Sequence, residues 1–211
     1  MNNPINNLRD NLSNPFAEII ESSLTRWKAQ AWSSDVVAAF GSLVTIKTQE
    51  RIIYGLIFDI EICSCDPYRT VTIYKKEEHE LKRDQPQIFE FLKTNFSCIT
   101  VAYRENKNNK LLYQLSPEPP KIHAFMHFAT NEDIIDFFSD DQYLQLLFNF
   151  SSNTFCLDEL LLAILKQLSD SNILNKDNLQ KFIETFSLLT ANDYRRLKLF
   201  LKRAKPILTN F

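Results

Sequence analysis

Only two residues of the 211 are glycine, Gly41 and Gly55, where about 7% is ordinary. Glycine alone reaches left-handed backbone freely and lets a main chain come close to a ligand. Phosphate-cradling loops of the G-x-x-x-x-G-K-[ST] or G-x-G-x-x-G kind need two or three glycines within a few positions. So widely separated a pair excludes nucleotide chemistry built on such loops. The remaining composition is that of an ordinary globular chain: 45% hydrophobic, 24% charged, with 24 basic against 26 acidic residues for a net charge of −2. At 24.7 kDa, folding can bury about 70% of the unfolded surface.

The amino terminus, MNNPINNLRD, has no basic stretch followed by an apolar core, and the longest apolar run, Leu160 to Leu165, is far shorter than the roughly 20 residues of a span. Neither a signal peptide nor a membrane span is expected. Four cysteines, Cys63, Cys65, Cys98 and Cys156, in a chain able to build its own core suggest a reducing compartment over a disulfide scaffold. Plentiful Asn, Ile, Lys and Phe beside scarce glycine suggest an AT-rich genome, bacterial or organellar.

Periodicity divides the chain into an arm and helix (1–35), a β region (36–128) and a helical region (129–211). Asn14 and Pro15 form a helix-start signal, and Phe16, Ile19, Ile20, Leu24 and Trp27 at helical spacing predict a helix over about 15–31. From Val36 the period changes. Phe40–Lys47 and Arg51–Glu61 are β-branched and aromatic runs joined by Thr48-Gln49-Glu50, a predicted hairpin. Gly41 opens the first strand, and Gly55 inside the second marks a bulge or tight barrel bend. Further strands are expected over Tyr68–Tyr74, Phe96–Tyr103, Leu111–Leu115 and Lys121–Phe128, with asparagine turns at 106–109 and a short helix carrying Ile88, Phe89, Phe91 and Leu92. Short strands without crossover helices favour an antiparallel sheet closed as a small barrel. Five helices follow, over Glu132–Phe138, Asp141–Phe148, Leu157–Leu168, Lys176–Leu189 and Asn192–Lys205. The fold class expected is α+β: an N-terminal helix, a small antiparallel β-barrel and a C-terminal helical bundle.

Three constellations could carry chemistry. Cys63-x-Cys65 with His123-x-x-x-His127 supplies four ligands of the kind zinc takes, but a strand-borne C-x-C splays its sulfurs along the chain, and buried cysteines with partly buried histidines explain the pattern more simply. Cys98 or Cys156 with His123, or Glu118 with neighbouring carboxylates, forms a conceivable catalytic group without a diagnostic local motif, and Cys98 in FSCITVAY has the setting of a core residue. No catalytic residue, metal or cofactor is therefore assigned. The third is the terminal helix, ANDYRRLKLFLKRAKP, where Tyr194, Leu197, Leu201 and Ala204 make an apolar row beside Arg195, Lys198, Lys202 and Lys205. With Arg196 and Arg203 there are six cations against one acid, Asp193. This face suits a nucleic-acid backbone, an acidic protein or an anionic surface, unless it is a solvated bundle helix with cations at its C-terminal end.

FGSLVTIKTQERIIYGLIFDIE, a glycine-opened strand, polar turn and second strand with an internal glycine, resembles the start of the HerA–ATP synthase (HAS) barrel, the amino-terminal β-barrel of ring-forming ATPases. NPFAEIIESSLTRW, DQPQIFEFLKTNFSC, SPEPPKIHAF and DELLLAILKQL resemble an uncharacterised family of cyanobacterial and plastid proteins that carries this barrel, sampling residues 14–168. The resemblance implies a barrel that mediates assembly contacts, since in the ATPases a separate RecA-like domain hydrolyses nucleotide. Residues 129–211 offer neither a phosphate loop nor the length for that domain, and Gly41 and Gly55 match as backbone features only. The expectation is a non-enzymatic interaction module docking to itself or to a protein partner such as a ring ATPase; the alternative is a nucleic-acid-binding protein using the basic helix.

Overall fold

The computed structural model describes residues 14–33, 38–66, 72–150 and 155–208. The chain is α+β, and six antiparallel strands close into a barrel. They are β1 (Ala17–Ser22), β2 (Arg26–Ala31), β3 (Leu43–Lys47), β4 (Arg51–Ser64), β5 (Leu92–Glu105) and β7 (Phe125–Phe128), with β6 (Leu111–Leu112) appended to β5. Their order is β2-β1-β7-β3-β4-β5, and pairing of β2 with β5 closes the ring. Two short helices, α1 (Glu78–Asp84) and α2 (Gln87–Glu90), lie between β4 and β5. Five more follow the barrel: α3 (Asn131–Phe138), α4 (Tyr143–Phe150), α5 (Leu157–Asp170), α6 (Lys176–Leu189) and α7 (Tyr194–Ala204).

The helix expected over 15–31 is not formed, and this corrects the N-terminal part of the predicted architecture. Those residues make the β1–β2 hairpin, so the barrel begins at Ala17 and not at 36. Ala17 and Ile19 on one strand, and Trp27 and Ala29 on the next, all point into the barrel at period two. Between them Ser23 makes the turn: its N–H and hydroxyl both donate to the Arg26 carbonyl, at 2.8 and 2.7 Å. The spacing of Phe16, Ile19, Leu24 and Trp27 is compatible with a helix, but the barrel needs β2 as the partner of both β1 and β5, and that tertiary pairing overrides local pattern. The first 13 residues and 34–37 lie outside the described residues, as do 68–71 of the strand expected over Tyr68–Tyr74; 72–74 carry no strand.

Two apolar cores share the sheet. One fills the barrel: Ile19, Trp27, Ala29, Val44, Ile46, Ile53, Ile57, Phe96, Cys98 and Met126 point inward. The other lies outside it, where Leu43, Tyr54, Leu56, Ile99 and Val101 on β3–β5 pack against Phe137, Leu144, Leu160, Ile164 and Phe186 of the helices. Strand alternation produces both cores at once: Ile53, Gly55 and Ile57 face in while Tyr54 and Leu56 face out. Among the described residues, the barrel side of the outer core comes from β3, β4 and β5, and helices leave the outer faces of β1, β2 and β7 free of it.

Polar contacts fix the barrel to α3. The Tyr54 hydroxyl donates to Asp133 Oδ1 at 2.6 Å, Arg104 lies 5.7 Å over the Tyr54 ring and pairs with Asp136, and the Tyr113 hydroxyl donates to the Phe137 carbonyl at 2.7 Å. Burial, with the Asp133 carboxylate beside it, pushes the Tyr54 phenol well above its ordinary pKa and keeps it a donor.

Candidate functional site

The lumen is occupied by the protein itself. Gly55, expected to mark a bulge or a tight bend, sits where β4 and β5 shift register, and a Cβ there would come within 2.4 Å of Trp27 Cζ2. The indole thus uses the space that the missing side chain leaves, and Trp27 is only 2% exposed. Gly41 serves the backbone in another way. At φ +85° its N–H donates to the Ile57 carbonyl at 2.8 Å, turning the chain into β3 against α5. Cys98 projects into the lumen, and burial holds its thiol far above the ordinary range, a neutral group unlike a thiolate nucleophile. The His123 side chain stands outside, 80% exposed, and Cys156 is an exposed residue that precedes α5, so the structure does not assemble a cysteine–histidine pair from these positions.

The Cys63, Cys65, His123, His127 quartet is likewise distributed. Cys63 lies toward the far end of β4, opposite Lys93, and accepts from Asn95 Nδ2 at 3.6 Å; Cys65 follows in an exposed turn. His127 is in β7 opposite Thr45, and burial together with the Lys47 ammonium lowers its pKa. His123, at φ +68°, binds Glu18 Oε1 through Nδ1 at 2.5 Å. Among the described residues, no three His, Cys, Asp or Glu side chains come together in a metal-binding group.

What the structure does gather is surface. On the side of the barrel against which no helix core packs among the described residues, Phe125 of β7 stands opposite Glu18 of β1, and Trp32, one residue past β2, meets it edge to face with ring centroids 5.1 Å apart. Both rings are about half exposed, at 49% for Phe125 and 53% for Trp32. A cleft of about 700 Å³ opens beside this region, between the β3–β4 turn and residues 118–124, lined by Lys47, Arg51, Glu118, Lys121, Ile122 and His123. Its charges are mixed. Lys47, Arg51 and Lys121 face Glu50 and Glu118, and Arg51 is mostly buried and already engaged by Glu50 at 2.9 Å, so the cleft carries too small a net charge to select a strongly charged ligand.

The second surface is α7. Asp193 caps it, accepting from the Arg196 N–H at 3.0 Å, and Phe200 and Ala204 bury its inner face. Tyr194, expected in the apolar row, is instead 72% exposed, because the buried row runs through Phe200. The six cations separate into two sets. Arg196 pairs with Asp158 at 2.9 Å and lies over Phe148 and Phe186, while Arg203 pairs with Glu159 at 2.6 Å; both tie α7 to the first turn of α5. Arg195, Lys198, Lys202 and Lys205 point to solvent, and none has an ion pair among the described residues.

Sequence reasoning singles out the basic helix but not the Trp32–Phe125 pair or the Tyr54–Asp133 contact. Strand register brings the first together and strand-to-helix packing the second, and neither leaves a local motif. The alternation Trp27-x-Ala29-x-Ala31 is the one signal that could have placed Trp32 on a strand edge. No helix among the described residues is long and apolar enough to cross a membrane. Compared with models of known protein families and with curated proteins, the chain matches none.

Proposed function

We propose that this chain is a non-enzymatic docking module that binds a protein partner on the outside of a solid barrel. The observation that carries the reading is the half-exposed Trp32–Phe125 pair on the face that the helices leave free. Large aromatic side chains are the strongest single contributors to protein interfaces, and exposed apolar clusters on an otherwise polar surface mark such sites. A lumen filled by Trp27 against Gly55 supports a role on the outer surface over one that encloses a small molecule. The resemblance to HAS barrels supports assembly as the process, with a ring ATPase or a second copy as the partner.

Affinity purification of the full chain from native lysate, combined with light scattering, tests this reading. A recovered partner or a defined oligomer is expected for wild type, with loss of either in Trp32→Ser/Phe125→Ser while the fold persists. A strict monomer that recovers no protein overturns it. A second reading, nucleic-acid binding, is favoured by the four unpaired cations of α7. It predicts that log K falls with log salt at a slope of about −3.6 for duplex DNA if all four meet phosphates, and that Arg195, Lys198 and Lys202 to Glu weakens binding further. A flat salt response would remove it.

A further inference from the structure

We infer that the outer face of α7 is a docking site for an acidic amphipathic protein helix. This rests on the docking reading above and adds the chemistry of one partner. Arg195, Lys198, Lys202 and Lys205 recur at spacings of three, four and three, which places them in one stripe about 15 Å long. The stripe lies opposite the buried row of Phe200 and Ala204. At about 100° per residue, Leu199 falls on one flank of it and Tyr194 on the other. These two are 56% and 72% exposed. The surface is therefore a cationic ridge with an apolar residue on each side.

Each class of anionic partner makes a different demand on such a ridge. A bilayer takes up a basic amphipathic helix through its apolar face, but here that face is committed to the core, with Phe200 2% and Ala204 0% exposed. A duplex nucleic-acid backbone needs cations alone and gains nothing from a leucine beside them. An acidic amphipathic helix uses both parts: carboxylates at matching spacing meet the cations, and its own apolar side chains cover Leu199 and Tyr194. The inner side of α7 already pairs with carboxylates of another helix, Arg196 and Arg203 holding the adjacent Asp158 and Glu159 at the start of α5.

The test is fluorescence anisotropy on the full chain with three labelled probes: a glutamate–leucine amphipathic helical peptide, a glutamate peptide of equal charge without leucine, and a duplex DNA. The amphipathic peptide should bind tightest. Lys198→Glu/Lys202→Glu should weaken it by at least about tenfold, and Leu199→Asn should weaken it by about threefold or more without changing its salt dependence. DNA binding as tight as or tighter than the peptide, equal binding of the two peptides, or an unchanged affinity in the charge-reversal variant each overturns the inference. Loss of the native partner in Trp32→Ser/Phe125→Ser but not in Lys198→Glu/Lys202→Glu would leave the docking reading standing and sink this one. All these positions are on the surface, and unchanged melting temperatures check that the variants fold.

Discussion

At the scale of single residues, the barrel depends on a glycine that its largest interior side chain requires. A Cβ at Gly55 would meet the rigid Trp27 ring, flanked by Ile53 and Ile57, and no flexible chain end is there to give way. Gly55→Ala should lower stability by about 1–3 kcal/mol in denaturant titration, the usual range for overpacking a filled core. The same substitution paired with Trp27→Phe should recover part of the loss, which would identify the clash as the cause. Tyr54→Phe leaves Asp133 without its buried donor and should cost about 1–2 kcal/mol. His127 gives a pH-dependent prediction. Its folded pKa is lowered by burial and by Lys47, so below about 6.5 the unfolded chain binds the proton more readily than the folded one. Stability is therefore highest above that pH and declines as pH falls toward the folded pKa. His127→Gln should flatten this part of the melting temperature profile between about pH 7.5 and 5.5.

At the scale of elements, the most legible parts of the sequence are those whose pattern is local. The β3–β4 hairpin, the irregularity at Gly55 and all five C-terminal helices are expected within a few residues of where they lie, because period and turn chemistry are written in consecutive residues. The β1–β2 hairpin is illegible for a physical reason. Phe16, Ile19 and Trp27 fit a helical stripe as well as a strand, and what decides between them is β5, about 70 residues downstream and invisible to any short window. The same holds for both proposed surfaces: the cations of α7 can be read as a group, but which of them pair inward depends on α5. Gln30 offers a direct check, since its side chain lies outward between Glu18 and Asn95 on the neighbouring strands. Gln30→Thr should leave stability unchanged or raise it by up to about 1 kcal/mol, as a β-branched residue does on a strand, where a helix would lose about half a kcal/mol.

At the scale of the whole molecule, β3–β5 are common property: one face lines the lumen and the other supports the helices. The helices therefore have no separate core, and intrinsic tryptophan fluorescence and helical circular dichroism should melt in a single coincident transition; two separated transitions would mean independent units. The proposed docking uses the remaining surface, where the outer faces of β1, β2 and β7, free of helix packing among the described residues, carry Trp32 and Phe125 and α7 carries a cationic ridge. Hydrogen exchange on the full chain, with and without the protein it recovers, tests that division most directly. Protection on binding should appear in β1, β2 and β7, around the aromatic pair. Protection confined to the cleft residues 47–51 and 118–124, or no change anywhere in the barrel, would contradict it.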